Sequence, residues 1–174
     1  ENGLKELETV CWVLDICNAK VNDSCGFHVH MDAASFNLDT WKNLALTYKH
    51  LEHLIDAFMP RTRRNNTYCK TLSGVSDERI KSVRTIDGLR EVFNNDRYHK
   101  VNFEAYSRHR TVEFRQHSGT TNFTKMENWI RFLNGLITFA KRSSLPSRMT
   151  LEELPFLDGK QKLFFKLRTK KLAV

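Results

Sequence analysis

The stretch SCGFHVHMDA, residues 24–33, places two histidines one residue apart, shortly after a glycine. Successive side chains of a β-strand point to opposite faces, so His28 and His30 share one face of the predicted strand. The other face carries three apolar side chains, those of Phe27, Val29 and Met31. The stretch therefore predicts a strand with one apolar face and one face that presents two imidazoles.

A second strand with the same alternation is predicted from TVEFRQH, residues 111–117. Its polar side chains Glu113, Arg115 and His117 share one face. Its other face carries Val112, Phe114 and Gln116. If the polar faces of both strands line one cleft, a carboxylate, a guanidinium and several imidazoles meet there. This set suits a divalent cation with a bound phosphate, because arginine binds such anions through two parallel hydrogen bonds.

Apolar residues at helical spacing predict helices on either side of these strands. Such stripes occur near the start of the chain, then from Trp41 to Phe58, and again from Met126 to Ile137. Thr124 and Glu127 match a capping box at the start of the last of these helices. Residues 61–82 are polar and basic and lack a clear period, so they predict a long ordered loop.

The remaining segments complete an α+β architecture. Residues 100–106 predict a strand, joined to the strand that carries Glu113 by a tight polar turn. Residues 159–174 predict a basic C-terminal helix. The residues expected on its buried side are Leu163, Phe164 and Leu167. Because helices alternate with few strands, we expect one domain over residues 1–174, with helices packed on one face of a sheet.

The composition narrows the range of partners and locations. The 28 lysines and arginines outnumber the 20 aspartates and glutamates, and the net charge of +8 favours a polyanionic partner: a phosphate-bearing ligand, nucleic acid or an acidic protein. The four cysteines form no CxxC pair, so we expect reduced thiols. No apolar run approaches the ~20 residues of a membrane span and no signal peptide opens the chain, so we expect a soluble cytoplasmic protein.

Four segments carry a resemblance to a known family: NDSCGFHVHMDA, RRNNTYC, RYHKVNF and TVEFRQHSGTTNFTKMENWIRF. These four segments, in this order, resemble segments of the amidoligase family. The members of that family are carboxylate-amine ligases of the glutamine synthetase-like superfamily. The resemblance covers roughly residues 1–140. It implies a curved antiparallel sheet backed by helices. It also implies that ATP and magnesium serve to join a carboxylate to an amine, on substrates that include amino acids, peptides or a protein tail.

The resemblance assigns roles to the residues of the cleft. It implies that His28 and Glu113 bind a magnesium ion that bridges the nucleotide phosphates. Arg115 would stabilise charge on the transferred phosphoryl group or the acyl phosphate, and His30 would reach phosphate or substrate. These roles fit the chemistry, because phosphoryl transfer depends on positioning and charge neutralisation more than on covalent help.

Further contacts are expected from residues near the cleft. Arg61, Arg63 and Arg64 would add contacts to the nucleotide phosphates, with a solvated basic loop as the alternative. Asn102 would bind substrate or satisfy the backbone, and His117 is the other candidate for a substrate contact.

The chain departs from this family at its start. The ligases begin with a strand of paired glutamates that supply most of the metal carboxylates, and no such strand precedes Glu1. Magnesium prefers six oxygen ligands, so His28 and Glu113 alone do not complete a site. We therefore expect the chain to correspond to the C-terminal half of the catalytic domain, with an upstream acidic half of the same protein completing the metal site.

Two alternatives from other functional classes remain open at this point. The first is a non-catalytic binding or assembly module on the same fold, whose basic tail binds an acidic protein or nucleic acid, although nucleic acid is not favoured. The second is a small zinc-dependent hydrolase that uses His28, His30 and His117 as ligands.

Overall fold

A computed structural model describes residues 2–173 of the chain. Within that range the fold is α+β, with a three-stranded sheet, seven α-helices and one 3-10 turn at Arg61–Arg63. The strands are β1 (Gly26–Asp32), β2 (Val101–Asn102) and β3 (Thr111–Ser118). The helices are α1 (Asn2–Ile16), α2 (Leu38–Ala57), α3 (Asp77–Ser82), α4 (Ile86–Val92), α5 (Ala105–His109), α6 (Phe123–Ala140) and α7 (Gly159–Leu172).

β3 is the central strand and runs antiparallel to both neighbours, in the order β1-β3-β2. Glu113 lies opposite His30 on β1 and opposite Asn102 on β2. Directly paired residues of neighbouring strands point to the same face of a sheet. These three side chains therefore form one row across the polar face.

The pairing of β1 with β3 contains a β-bulge. Phe27 pairs with His117 and Val29 with Phe114, so a two-residue step on β1 faces a three-residue step on β3. The extra residue shifts the alternation of side chains beyond Phe114. As a result His117 shares the face of Phe27, and its predicted place on the face of Glu113 is wrong.

Arg63 holds the bulge in place. Its side chain is 5% exposed, and the guanidinium donates to the backbone carbonyl oxygens of Arg115 and Gln116, the second from Nε at 3.3 Å. Carbonyl groups in a bulge leave the regular ladder and need other partners. The buried thiol of Cys69 packs behind the same turn, with its Sγ 3.5 Å from the carbonyl oxygen of Arg63.

A buried polar network joins β3 to α2. The side chain of Gln116 accepts a hydrogen bond from the Tyr48 hydroxyl at 2.7 Å and donates one to Asp56. Lys100 is 1% exposed, pairs with Asp56 at 2.8 Å and lies 3.7 Å from a carboxylate oxygen of Glu52. Buried charges and amides are tolerated when partners of this kind satisfy them. The network therefore fixes α2 relative to the bulge.

α2 and α6 cover the apolar face of the sheet. The rings of Tyr48 on α2 and Phe114 on β3 lie 5.9 Å apart, and Trp129 on α6 packs against His117 at 5.7 Å. The expected burial of the α6 face against the strands is confirmed. The buried residues that carry it are Val29, Val112, Phe114, Trp129, Leu133 and Leu136.

α6 begins two residues earlier than a helix capped by Thr124 would. Its N-cap is Asn122, whose side chain accepts a hydrogen bond from the backbone N–H of Lys125 at 3.0 Å. The predicted capping box is therefore wrong, and Glu127 instead pairs with Arg131 one turn further along the helix. Asparagine and threonine both cap helices well, so the residue types alone do not decide between positions 122 and 124.

The predicted strand over residues 100–106 is shorter in the structure. β2 ends at Asn102 because the chain then turns into the short helix α5, which closes at Arg110 with a left-handed backbone (φ 56°). The tight turn expected before β3 is therefore this helix. Residues 61–82, predicted as a loop, hold the 3-10 turn at one end and α3 at the other.

The basic helix predicted from Gly159 is present as α7, but it buries a different side. Phe165 is the buried aromatic, with its ring centre 4.4 Å from that of Phe58. Leu163 and Leu167 are each 57% exposed, so the prediction that they face the core is wrong. Val174, at the end of the predicted range, lies outside the described residues.

Cys11, Cys17, Cys25 and Cys69 are free thiols, as their spacing led us to expect. None of the helices between residues 2 and 173 is long and apolar enough to cross a lipid bilayer.

Replacing Arg63 by methionine should destabilise the fold, because it removes the hydrogen bonds to two carbonyl groups of the bulge. A buried polar group without a partner costs about 1–3 kcal/mol, so we expect a loss of about 2–5 kcal/mol in the free energy of unfolding, measured by urea denaturation. Arg61→Met is the matched control: Arg61 is exposed in the same turn, and its loss should cost at most about 0.5 kcal/mol. Equal stability of the two variants would contradict the role given to Arg63.

Phe165→Ala should lower the melting temperature by about 10 °C, because truncation of a buried phenylalanine typically costs about 3–5 kcal/mol. Leu163→Ala, on the exposed side of the same helix, should leave the melting temperature nearly unchanged. Differential scanning calorimetry of both variants measures the two effects. A larger loss for Leu163→Ala than for Phe165→Ala would refute the packing of α7.

Candidate active site

Glu113 is the centre of a cluster of side chains on the polar face of the sheet. Its Oε1 lies 2.8 Å from Nη1 of Arg115 and 3.1 Å from Nδ1 of His28. Its Oε2 accepts a hydrogen bond from Nδ2 of Asn102 at 2.6 Å, and Nε2 of His30 lies 3.7 Å from Oε1. We call these five residues the Glu113 cluster. The structure thus brings His28, Glu113 and Arg115 together, as the alternation along both strands predicted.

The carboxyl group of Glu113 is held in its charged form. Burial by itself raises the pKa of Glu113, but hydrogen bonds from His28 and Asn102 and the charge of Arg115 outweigh it, and the pKa falls to about 2. The side chain of Glu113 is 8% exposed. The cluster therefore keeps a buried negative charge, compensated by the neighbours that point at it.

Gly26 makes room for the imidazole of His28. A Cβ atom at position 26 would lie 2.7 Å from Nε2 of His28 and 3.1 Å from Nη2 of Arg63. Real Cβ atoms do not come that close to a ring, so a side chain here would push the His28 imidazole out of its present position. The glycine before the HxH segment therefore helps to set the His28–Glu113 contact.

His30 is oriented by its neighbours but is not saturated by them. Its Nδ1 lies 2.8 Å from the hydroxyl of Thr111, and its ring packs edge-on against His109 with centres 5.8 Å apart. The distance of 3.7 Å from Nε2 to Glu113 is too long for a hydrogen bond. Since the side chain is 42% exposed, this nitrogen can bind a ligand.

Arg115 is buried and fixed from several sides. It pairs with Glu113, its Nε lies 3.4 Å from the carbonyl oxygen of Tyr68, and its guanidinium carbon lies 5.5 Å from the ring centre of Tyr98. A guanidinium held in one orientation binds an oxyanion with little further ordering, which is a requirement for catalytic charge stabilisation.

Both the nitrogen and the oxygen of the Asn102 side-chain amide form hydrogen bonds within the protein. Nδ2 donates to Glu113, and Oδ1 accepts from the backbone N–H of Glu104 at 2.9 Å. Of the two interpretations of Asn102, contact with substrate or satisfaction of internal groups, these bonds favour the second.

His117 lies apart from the cluster, on the opposite face of the sheet. It is 3% exposed and packs between Phe27 and Trp129, with ring centres 5.7 Å from each. The structure therefore contradicts a zinc site built from His28, His30 and His117. It also leaves His117 no access to a substrate at the Glu113 cluster, because the bulge turns its ring into the core.

Two of the three arginines of the basic turn are committed to the backbone. Arg63 binds the carbonyl groups of the bulge, and Nε of Arg64 lies 3.0 Å from the carbonyl oxygen of Met59. The phosphate contact expected from the buried Arg63 is therefore wrong, whereas Arg64 is half-buried and bonded through Nε, and its phosphate contact stays a prediction. Arg61 is exposed and keeps its candidate role.

Several residues around the cluster were not predicted from the sequence. Thr111 orients His30, Tyr68 and Tyr98 surround Arg115, and Arg97 and Arg108 line a cavity next to Glu113. The Thr111 contact could have been predicted, because Thr111 is the first residue of the strand that carries Glu113. The other contacts come from connecting segments without a period, so no pattern pointed to them.

The protein residues at the cluster provide part of a magnesium site. Glu113 supplies one charged carboxylate and His28 one imidazole, whereas magnesium prefers six oxygen ligands in octahedral geometry. Across residues 2–173, no group of three or more His, Cys, Asp or Glu side chains is arranged to hold a metal ion. The cluster alone therefore does not complete a metal site.

Comparison with known proteins gives one match. Residues 1–137 match the model of a family described as "Putative amidoligase enzyme". Neither the curated proteins nor the solved structures searched gave a match to the chain.

His117→Phe should reduce the acid sensitivity of the fold. The pKa of His117 is lowered to about 4, mainly by burial. The charges of Arg168 and Lys125 also lower it, whereas the hydrogen bond with the Ser118 carbonyl raises it. An unfolded histidine titrates near 6.5, so between about pH 6.5 and pH 4 the unfolded chain binds a proton that the folded chain excludes, and stability falls in that window.

The expected size of this effect is about 3 kcal/mol, at 1.36 kcal/mol per pKa unit. Urea denaturation at pH 7 and pH 4 should show that the parent protein loses about this much more stability than His117→Phe. Identical losses in the two proteins would mean that His117 is not kept neutral by the core.

Proposed function

The chain belongs to the amidoligase family, and on that premise we propose that it carries part of the active site of an ATP-dependent carboxylate-amine ligase. In the proposed reaction a carboxylate oxygen attacks the γ-phosphorus of ATP and releases ADP. An amine nitrogen then attacks the acyl carbon, the phosphate leaves with the C–O bond electrons, and the nitrogen loses a proton. The product is an amide.

The observation that carries this proposal is the Glu113 cluster itself. A charged carboxylate, a fixed guanidinium and two imidazoles meet on one face of a sheet, and two of these groups, Glu113 and His30, also line a cavity. Acyl-phosphate chemistry transfers a highly charged group, and its rate depends mainly on neutralising and positioning that group. A cluster of fixed charges serves this chemistry better than a nucleophile or an acid–base pair would.

Each residue of the cluster has a proposed role. Arg115 stabilises the charge on the transferred phosphoryl group, and its contacts with Glu113 and Tyr98 keep it oriented. His30 contacts phosphate or substrate through Nε2. Glu113 and His28 serve as metal ligands, and Asn102 holds the Glu113 carboxylate in position.

Magnesium, when bound, would neutralise charge on the nucleotide phosphates. Glu113 fits that function because its low pKa keeps it anionic. The remaining oxygen ligands have to come from substrate, water or carboxylates other than those of the cluster. We propose that an acidic strand of the kind that opens glutamine synthetase-like domains provides them, and that the three-stranded sheet belongs to such a curved sheet.

A second candidate is a binding module for an acidic partner. It is favoured by the surface of α7, where Leu163 and Leu167 are exposed in a helix whose last turn carries Lys170 and Lys171. This candidate requires no catalysis, so the absence of amide-forming activity in the parent protein would favour it.

Glu113→Gln and Arg115→Lys should each reduce ligase turnover by ~10²-fold or more, because each removes a charge contact at the transferred group. Hydroxylamine can replace the amine, so hydroxamate formation from a panel of amino acids with magnesium and ATP measures turnover in the complete protein that contains this sequence.

Glu91→Gln and Arg84→Lys are matched controls, because both residues are exposed and outside the cluster. Both controls should retain the activity of the parent. Circular dichroism of the cluster variants checks that the fold is intact. Near-normal turnover of a folded Glu113→Gln protein would refute the role of this carboxylate.

A further inference from the structure

A polar cavity of about 410 Å³ opens next to the Glu113 cluster. His30, Asn102 and Glu113 line it on the side of the sheet, and the exposed residues Arg97 and Arg108 line it on the side of the connecting segments. We call this cavity the arginine pocket. Its volume is in the range of sites for ligands the size of a metabolite.

The charges in the arginine pocket do not cancel. Arg90 is neutralised by Glu104 and Asp87, with Nε of Arg90 2.9 Å from Glu104. Glu113 is neutralised by Arg115. In contrast, the guanidinium groups of Arg97 and Arg108 form no ion pair and no hydrogen bond with the side chains and backbone of residues 2–173. The lining holds three arginines and two glutamates, so its net charge is positive, and Arg97 and Arg108 are the two arginines without a carboxylate partner in the described part of the chain.

Left-handed residues lie next to both arginines: Arg97 is in a turn, and Arg108 is near the end of α5. Asn94 and Asn95, just before Arg97, have φ values of 59° and 51°, and Arg110, just after Arg108, has a φ of 56°. Left-handed backbone at residues other than glycine is disfavoured and is concentrated at functional sites. Asparagine adopts this conformation more readily than other residues with a side chain, so the conformational cost falls mainly on Arg110, which ends the helix that carries Arg108.

The lining favours a small charged ligand over a nucleotide base. The aromatic rings in its wall are the imidazoles of His30 and His109, and most of its surface consists of nitrogen and oxygen atoms. A purine needs an apolar or aromatic wall on which to stack. The nucleotide therefore fits this pocket poorly, whereas a compact anion fits it well.

We infer that the arginine pocket binds the acyl substrate of the proposed ligase and that this substrate is acidic. Its reacting carboxylate lies at the Glu113 end, where His30 lines the wall. A second carboxylate, which does not react, binds Arg97 and Arg108. This inference rests on the proposed function for the identity of the reacting group, but the binding of a dicarboxylate can be measured without turnover.

The test compares glutarate with pentanoate, which has the same number of carbons but one carboxylate. Calorimetric titration of the parent protein at low ionic strength should show that glutarate binds about tenfold more tightly or better, as a charge-assisted hydrogen bond predicts. Arg97→Gln combined with Arg108→Gln should abolish this preference.

Arg79→Gln combined with Arg84→Gln is the matched control, because it removes the same net charge at exposed positions around α3. This control should retain the preference for glutarate. Equal loss in both double variants would show a long-range effect of net charge and would overturn the inference. Tighter binding of inorganic phosphate than of glutarate would overturn it in favour of a phosphate pocket.

The outcomes for the inference and for the proposed function are separable. If Glu113→Gln abolishes hydroxamate formation while the Arg97 and Arg108 variant keeps its preference for glutarate, the ligase stands and the acidic substrate is refuted. If the preference depends on these arginines while Glu113→Gln stays active, the pocket stands and the proposed role of the cluster is refuted.

Discussion

The β-bulge in β3, and the guanidinium that holds it, form the constraint on which the rest of the molecule depends. Before the bulge, Glu113 points to the polar face, and after it, His117 points to the core. Arg63 binds both carbonyl groups of the bulge from a turn that follows α2. One buried side chain therefore supports the bulge that puts His117 on the face opposite to Glu113.

The bulge also separates two polar environments that share one strand. On the open face, Glu113 and Arg115 neutralise each other next to a cavity. On the core face, Gln116 joins Tyr48 and Asp56 in a network closed by the buried ammonium of Lys100. Internal partners satisfy the core network, whereas the open face retains His30 and a pocket with unpaired arginines. This asymmetry distinguishes a part of the sheet that stabilises the fold from a part that can bind a ligand.

The strand alternation was sufficient to predict the convergence of His28, Glu113 and Arg115, because period-two patterns depend on local geometry alone. The alternation gave the wrong face for His117, because a bulge inserts an extra residue and the local sequence pattern does not show where. The burial of Phe165 instead of Leu163 could not be predicted either, because apolar residues lie on more than one side of that helix and long-range packing chose between them. Arg97 lies in a turn and Arg108 in the short helix α5, and the positions of both depend on the contacts of the whole fold.

The buried thiol of Cys69, behind the Arg63 turn, can report when that turn opens. Cys69 is fully buried, and burial raises its pKa to about 11 despite the opposing charges of Arg63 and Lys100. Thiol reagents attack the thiolate, so Cys69 is shielded both by lack of access and by lack of charge for as long as the turn stays closed. The alkylation rate of Cys69 therefore reports every opening that exposes the Arg63 turn, whether local or by unfolding of the whole chain.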